Sequence, residues 1–346
     1  MSSFHNRYGY SIYDYKITNK YMLLYLYECL KKETSLCIRD RMINLYINST
    51  INITKTEGEK LIEQIPLLYE LSTNPFSTDP IVYVSGLTFK NTTFTDEGFE
   101  CLVNFLKGDH IIRFLEFSGD VSFNSLRGDR FGDLCSALSS NNSLNRLLIN
   151  NVSFKVGNKC SQLADVIKTN SSISTLELIN NDISKDCIGF EKLFDALKNS
   201  GSIVHLSLKR NHIGSCIYSF NSILKKNSSI IDLNLTGNNI LIDSVKSLAS
   251  VLKKNSSLIS LNISGNPCCK LADYRFECLK VFRDLLLKNT TLTDIYFGAF
   301  YGPKIYYRSD GYFDDHRCGK TGTYTFRKDG TIHLSYCSDD YSDYWY

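Results

Sequence analysis

The sequence has no marked excess of one charge, no long apolar run and no leader-like N terminus. Its net charge is +3, with basic and acidic residues mixed along the chain, so no basic surface for nucleic acid is predicted. The longest apolar stretch, residues 21–30, is too short to span a bilayer, and residues 1–16 lack the apolar core of a signal peptide. These absences predict a cytoplasmic protein that binds neither nucleic acid nor membrane.

Motifs of nucleotide-binding loops, serine hydrolases and zinc peptidases are also absent. The six histidines are scattered, which favours ordinary surface roles over catalysis. We therefore predict that the protein is not an enzyme and has no catalytic residue, no cofactor and no bound metal. One alternative stays open, because four nitrogen and sulfur ligands suit zinc: His316, Cys318, His333 and Cys337.

The twelve cysteines do not have the spacing of a disulfide framework. Several lie in or beside predicted helices, next to leucine or phenylalanine: Cys101, Cys135, Cys160, Cys187 and Cys278. In such places cysteine acts as a small buried apolar residue. Because no secretory signal is predicted, we expect reduced thiols.

One pattern, L-x-L-x-x-N-x-I/C, repeats along the chain. The first residues of its copies are spaced by 27 to 34 positions: Leu147, Leu176, Leu206, Leu233, Leu261 and Ile295. A fixed period of this size is typical of a solenoid made of stacked coils.

The coil that begins at Ser229 has the clearest pattern. Leu233 and Leu235 alternate with polar residues, which predicts a short strand, and residues 244–254 have the apolar spacing of a helix. Asn238 lies between the two elements. We expect its side-chain amide to turn inward and bond the backbone of the neighbouring coil, as one step of an asparagine ladder.

The same order of strand, turn and helix fits less regular units nearer the N terminus. Three of their helices are predicted at residues 97–107, 131–138 and 160–168. A further unit would begin at Leu45 and have its helix at residues 57–71. Before it, residues 20–32 predict a helix that covers the apolar face of the first coil.

This pattern resembles the leucine-rich repeat family, and the helix in each unit resembles its ribonuclease-inhibitor-like subtype, as in NOD-like receptors and Ran GTPase-activating proteins. The resemblance implies an α/β leucine-rich-repeat solenoid, or horseshoe, with parallel strands on the concave face and helices on the convex face. We predict an N-terminal segment and capping helix at 1–42, about eight repeats and a closing strand at 43–298, and a tyrosine-rich tail at 299–346. Two alternating strands, 321–326 and 331–336, predict a β-hairpin cap in the tail.

Asparagine recurs where one unit meets the next, each time in an Asn-x-Ser/Thr triplet: Asn141, Asn170, Asn227, Asn255 and Asn289. The same triplet is the acceptor for N-linked glycans. We favour a structural interpretation, because asparagine tolerates the left-handed conformation that often ends a helix.

Strand residues that point away from the core form a continuous surface in such a fold. Phe114, Leu148 and Ile179 place apolar side chains there in three successive coils. The residues predicted around them are Glu116, Arg146, Glu177 and His205. An apolar centre with a charged rim is the composition of a protein-interface hot spot, so these seven residues are predicted to bind a protein.

The predicted function is thus a non-catalytic scaffold, itself a monomer, that binds a protein partner on its concave face. The resemblance leaves one alternative, a GTPase activator of the Ran-activating type that acts through an arginine on the rim. Arg113, Arg127 and Arg130 are the candidates for that arginine.

Overall fold

The structure, a computed structural model, describes the chain mainly between residues 82 and 298. The described ranges are 82–90, 93–94, 96–108, 112–119, 123, 129–184, 188–269 and 272–298, with the backbone of short strands before and after them. The chain divides into two compact units. Unit 1 comprises Met1–Ser153 and Asp165–Leu176, and unit 2 comprises Phe154–Ala164 and Glu177–Tyr346.

Strands and helices alternate through both units. The described strands are β1 (Ser3–His5), β2 (Ser11–Ile17), β3 (Arg41–Asn48), β4 (Asn52–Ile53), β5 (Val82–Lys90), β6 (Thr93–Phe94), β7 (Phe114–Ser118), β8 (Arg146–Asn150), β9 (Thr175–Ile179), β10 (His205–Ser207), β11 (Asp232–Asn234), β12 (Ser260–Asn262), β13 (Asp294–Phe297), β14 (Lys304–Tyr307), β15 (Phe313–His316), β16 (Gly322–Arg327) and β17 (Ile332–Tyr336). The described helices are α1 (Asp96–Lys107), α2 (Arg130–Ser140), α3 (Lys159–Thr169), α4 (Phe190–Asn199), α5 (Ile217–Lys226), α6 (Ile242–Leu252) and α7 (Ala272–Leu286), with 3₁₀ turns at Ile213–Cys216 and Pro267–Cys269. Within the described part of the chain, no helix combines the length and the apolar character needed to cross a membrane.

In unit 1 the strands β2, β3, β5, β7 and β8 are neighbours in this order, and in unit 2 so are β10, β11, β12 and β13. Neighbouring strands are parallel from β2 to β8 and from β10 to β13. Leucines at equivalent repeat positions pair directly, as Leu206 does with Leu233 and Leu233 with Leu261. From β7 to β13 a helix separates each strand from the next, so the predicted α/β repeat fold is confirmed.

The predicted helices are confirmed wherever the structure describes them. Those predicted at 97–107, 131–138, 160–168 and 244–254 correspond to α1, α2, α3 and α6, and each end agrees to within two residues. The helices predicted at 20–32 and 57–71 lie outside the described residues.

Unit 1 has a core of phenylalanine rings. Neighbouring rings have centroids 5.1 to 6.2 Å apart and meet mostly edge to face: Phe89, Phe94, Phe99, Phe117, Phe123 and Phe131. Such pairs contribute about 0.5–1.5 kcal/mol beyond the apolar area they bury. Phenylalanine stands at positions where the regular coils have leucine or isoleucine, which explains the weaker repeat pattern in this part of the sequence.

The predicted asparagine ladder is present in unit 2. Its four members are 0% exposed: Asn181, Asn211, Asn238 and Asn266. The Asn238 side-chain oxygen accepts hydrogen bonds from the backbone N–H of Asn211 (2.7 Å) and of Ile213 (3.2 Å), both in the preceding coil. Its amide group donates to Leu208 O at 2.7 Å. One side chain therefore satisfies three buried backbone groups of the preceding coil.

The asparagines at the unit junctions adopt a different conformation from the one predicted. Asn141 has φ −76° and ψ 126°, and Asn227 has φ −68° and ψ 132°, so both are extended and the predicted left-handed conformation is wrong. The hydrogen bonds of the Asn227 side chain explain instead why asparagine occurs at this position. Its amide donates to Leu197 O (2.8 Å) and Ser200 O (2.9 Å) in the preceding coil, and its oxygen accepts from the N–H of Ser229 and of Ile230.

The third residue of each triplet completes this junction. The Ser229 hydroxyl donates to Ile203 O at 2.8 Å, and the Ser172 hydroxyl donates to Leu144 O at 2.8 Å. Asn141, Asn170 and Asn227 are at most 6% exposed. The Asn-x-Ser/Thr triplets are therefore hydrogen-bonded junctions between coils, as the structural interpretation predicts, and their amides are engaged inside the protein.

Left-handed residues occur in the turn between the strand and the ladder position. Their φ angles lie between 53° and 77°: Gly119, Asn151, Asn180, Arg210, Gly237 and Gly265. Glycine and asparagine adopt this conformation at the lowest cost, which explains their recurrence at this point of the repeat.

Cys160, in the first turn of α3, is disulfide-bonded. Its partner lies outside the described residues, and the prediction of a reduced thiol is wrong at this position. The prediction is confirmed for the other described cysteines, which are free and buried: Cys135, Cys216, Cys268, Cys269 and Cys278.

Strands at both ends of the chain extend the sheet. The sequence analysis did not predict β1 or β2, and β2 pairs in parallel with β3. The two strands of the predicted hairpin, β16 and β17, pair antiparallel, and β16 also pairs antiparallel with β13. Their role as a cap, and the domain limits 1–42, 43–298 and 299–346, stay predictions.

We expect Asn238→Ala to lower the free energy of unfolding by about 3–5 kcal/mol, because it leaves two buried N–H groups and one buried carbonyl without a partner. Urea unfolding followed by circular dichroism measures the change. Asn145→Ala is the control, since it removes one exposed hydrogen bond and should cost less than about 1 kcal/mol. Equal losses of unfolding free energy in the two variants would show that the buried ladder bonds stabilise the protein no more than an exposed hydrogen bond does.

Candidate protein-binding face

In β8 and β9 the outward strand positions are accessible, as the sequence predicts. In β8, Leu147 and Ile149 are buried while Arg146, Leu148 and Asn150 reach the surface. The same alternation runs through β9. A strand places successive side chains on opposite sides, so in β8 and β9 one side is buried and the other reaches the surface.

In unit 1, four predicted site residues lie on the neighbouring strands β7 and β8. The register pairs Phe114 with Arg146 and Glu116 with Leu148. The Arg146 guanidinium lies over the Phe114 ring, 4.9 Å from its centroid. A cation in this position is attracted by the negative face of the ring. Phe114 and Leu148 are both partly exposed, and Arg146 is exposed.

Glu116 does not contribute the exposed charge that was predicted. It is only 8% exposed. One carboxylate oxygen accepts a hydrogen bond from the Ser118 hydroxyl, and the other accepts one from the Thr88 hydroxyl at 3.4 Å. The prediction of a rim charge at this position is therefore wrong, because the carboxylate is held by hydroxyl groups of β5 and β7 below the surface.

In unit 2, the remaining three predicted residues lie on β9 and β10. Glu177 and Ile179 are partly exposed on β9, and His205 is exposed at the start of β10. His205 Nδ1 lies 3.5 Å from Asp232 Oδ2 on β11. The sequence analysis did not include Asp232 in the site. Their direct pairing in the parallel register is the signal that could have found it.

Comparison with known proteins agrees with this repeat geometry. No protein-family model matches the chain. The chain is 34% identical over 131 residues to human "NACHT, LRR and PYD domains-containing protein 13", a match that covers 37% of this chain and 12% of that protein. LRR in that name stands for leucine-rich repeat. The repeats are leucine-rich repeats.

One of the three arginines predicted as a possible GTPase-activating residue is excluded by its position in unit 1. Arg130 is 9% exposed, and its Nη2 and Nε atoms lie 2.6 and 3.2 Å from Asp96 Oδ1. The guanidinium also lies 5.6 Å from the centroid of the Phe99 ring. Arg130 is thus wrong as a rim arginine, since its charge is already paired inside the unit. Arg113 is exposed, and Arg127 lies outside the described residues.

The alternative zinc site stays a prediction. The side chains of His316, Cys318, His333 and Cys337 lie outside the described residues. Among the side chains that the structure does describe, no group of three histidine, cysteine or acidic residues has a geometry that could hold a metal ion.

The free thiols that the structure describes are buried, and burial makes them poor nucleophiles. Burial raises the pKa of the Cys135 thiol, and the carboxylates of Asp129 and Asp165 raise it further. In unit 2, hydrogen bonds with the thiols of Cys269 and Cys278, followed by burial, raise the pKa of Cys268. A raised pKa keeps each thiol protonated near neutral pH, and the protonated form is a poor nucleophile.

We expect iodoacetamide at about pH 8 to leave Cys135 and Cys268 unmodified in the native protein, because raised pKa values keep them protonated and burial blocks access. In concentrated guanidinium both should react fully. Peptide mapping by mass spectrometry measures the modified fraction of each. Rapid modification of either thiol in the native state would contradict its buried position.

Proposed function

We propose that this protein is a non-catalytic scaffold that binds a protein partner on the solvent-facing side of its parallel sheet. The observation that carries the proposal is the stacked pair of Phe114 and Arg146 on neighbouring strands. A few well-placed aromatic and arginine side chains often dominate protein–protein binding energy. Similarity to a relative with LRR in its name also supports an interaction role. That match spans 12% of the relative.

The surroundings of Phe114 favour an apolar side chain of a protein as the ligand. In the register the ring is flanked by Gly86 on β5, which has no side chain, and by Arg146 on β8. Leu148, beside Glu116 in the register, extends the apolar surface. Glu116 lies below the surface and accepts a hydrogen bond from the Ser118 hydroxyl.

Unit 2 contributes a separate set of contacts to the same proposal. Ile179 supplies an apolar side chain, and Glu177 a carboxylate two residues before it on the same strand. His205 and Asp232 supply a polar pair on the two following strands. Mixed charges of this kind suit the polar rim of a protein interface better than a nucleic-acid backbone, which requires a basic surface.

In this role the protein acts as a cytoplasmic monomer and needs no cofactor. The absence of catalytic motifs from the sequence supports a scaffold over an enzyme. The five described free cysteines fit a reducing compartment, whereas the disulfide of Cys160 does not. The partner itself is expected to be a protein.

We expect Phe114→Ala and Arg146→Glu each to weaken partner binding at least about tenfold, the effect of losing a hot-spot side chain. The tagged full chain and its variants are used to capture proteins from the native cell, and quantitative mass spectrometry compares what each retains. The dissociation constant of the retained partner is then measured with purified proteins.

Lys168→Glu is the matched control, because it makes the same charge change on an exposed residue of α3 in unit 1. It should retain the partner that the two site variants lose. Circular dichroism at the assay temperature checks that every variant is folded. Equal capture of the same proteins by wild type, Phe114→Ala and Arg146→Glu would reject this face.

A further inference from the structure

A row of exposed apolar side chains marks the edge of unit 2 at which the helices begin. In the described part of the chain seven large apolar side chains are exposed, and five of them lie in the first turn of a helix or up to three residues before it: Val156, Ile188, Tyr218, Leu241 and Tyr274. Their helices, α3 to α7, follow one another along the chain, and all five residues belong to unit 2. The start of the helix is therefore apolar and open to solvent in five successive coils.

The stability of the helix does not explain the leucine in this row. Leu241 is the N-cap of α6 and is 56% exposed, and its side chain makes no capping hydrogen bond. Serine, threonine, asparagine or aspartate at an N-cap stabilises a helix, whereas leucine does not. An exposed apolar side chain at a position where a polar one would stabilise the helix indicates a contact with another segment.

Tyr274 and Leu241 are neighbours along this edge. Helix α6 packs against α7. Cys268 N, in the turn before α7, donates a hydrogen bond to Ile240 O at 3.1 Å, directly before Leu241. Because the axes of packed helices are about 8–10 Å apart, we expect a similar spacing between the two exposed side chains.

Three described charged side chains near Leu241 and Tyr274 pair with one another. Lys246 Nζ in α6 lies 3.7 Å from Asp243 Oδ1 in the same helix and 2.6 Å from Glu277 Oε1 in α7. Because the lysine already has two carboxylate partners, we expect apolar contact rather than charge to select the ligand at this edge.

The sheet leads the last part of the chain to the same edge. β13 pairs antiparallel with β16 and β16 with β17, so β17 runs in the direction of β13. Tyr324 of β16 pairs with Phe297, the last residue of β13, and Gly322, two residues farther along, pairs with Tyr336. β17 therefore ends just beyond the end of β13, on the side where strands end and helices begin.

The residues that follow β17 are long enough and aromatic enough to cover the near end of the row. Residues 337–346 span at most about 33–36 Å when extended. Four of the ten are aromatic: Tyr341, Tyr344, Trp345 and Tyr346. β17 lies two strand spacings, about 10 Å, from β13, and α6 lies about 8–10 Å beyond α7. Tyr274 and Leu241 are thus within reach, whereas Val156, four helices from α7, is about 30–40 Å farther along.

We propose that the aromatic residues of segment 341–346 bind Tyr274 and Leu241 within the same chain. The aromatic rings of the segment pack on the two exposed side chains and remove them from water. The aspartates of residues 337–346 take no part in this contact. The contact uses none of the residues of the proposed partner-binding face, and it does not depend on the proposed function.

Trp345 is the one tryptophan of the chain, so its fluorescence reports on this segment alone. In the native full chain we expect acrylamide to quench Trp345 less than it quenches free N-acetyltryptophanamide, because the docked ring is shielded. Leu241→Ser and Tyr274→Ser should each raise the quenching constant at least about twofold, since the loss of an apolar contact lowers the docked fraction. Serine is a favoured N-cap, so Leu241→Ser should keep α6 intact.

Two matched controls remove an exposed apolar side chain elsewhere in unit 2. Leu287→Ser acts just after the opposite end of α7, and Val156→Ser acts at the start of α3, beyond the reach of the segment. Both should leave the quenching of Trp345 as in the wild type, and circular dichroism checks that every variant is folded.

Three results would overturn this contact. The first is quenching of native Trp345 as strong as that of the free compound. The second is an equal quenching constant in the wild type, Leu241→Ser and Tyr274→Ser, or an equal rise in either control. The third is a quenching constant that changes with protein concentration, which would assign the segment to a second copy of the chain.

Discussion

Buried asparagine side chains satisfy the backbone groups that neither the sheet nor the helices can pair. In the turn between a strand and a helix, backbone N–H and carbonyl groups face the interior without a regular partner. Asn238 supplies one acceptor and one donor group to three of them, all in the preceding coil. Each unpaired group of this kind would cost about 1–3 kcal/mol. A coil is therefore complete only when the next coil is in place.

A second set of asparagines performs the same task at the other end of the helix. Asn170 donates to Leu138 O and to Asn141 O in the preceding coil, and its oxygen accepts from the N–H of Ser172 and of Ile173. A short amide combines a donor and an acceptor at a fixed separation, which aspartate and serine do not. This requirement explains why Asn-x-Ser/Thr triplets are frequent in a chain where these amides are buried.

The exposed outward positions of β8 carry no such requirement, and binding properties can vary there. Leu147 and Ile149 must be apolar because they pack inside, whereas Arg146 and Leu148 between them can change without disturbing the sheet. The same freedom applies at the position before each strand, where Ile259 has a polar counterpart in Thr293.

The resemblance to leucine-rich repeats implied that the strands are parallel. The spacing of the leucines was sufficient to predict the strands, the helices and the inward amide of Asn238. Each of these follows from a period along the chain, because the period determines which side of an element a residue occupies. The binding site was predicted less completely. The sequence placed Phe114 and Arg146 on the open side, but their stacking, the burial of Glu116 and the pairing of His205 with Asp232 were not predicted.

The sequence by itself determined the repeat, the alternation of strand and helix and the side of the sheet on which each residue lies. Only the tertiary structure determined the extended conformation of Asn227, the disulfide of Cys160 and the hydroxyl groups that hold Glu116. The physical reason is distance along the chain. Partners such as Thr88 and Glu116 are 28 residues apart, and they meet because stacked coils bring equivalent positions within reach of one another.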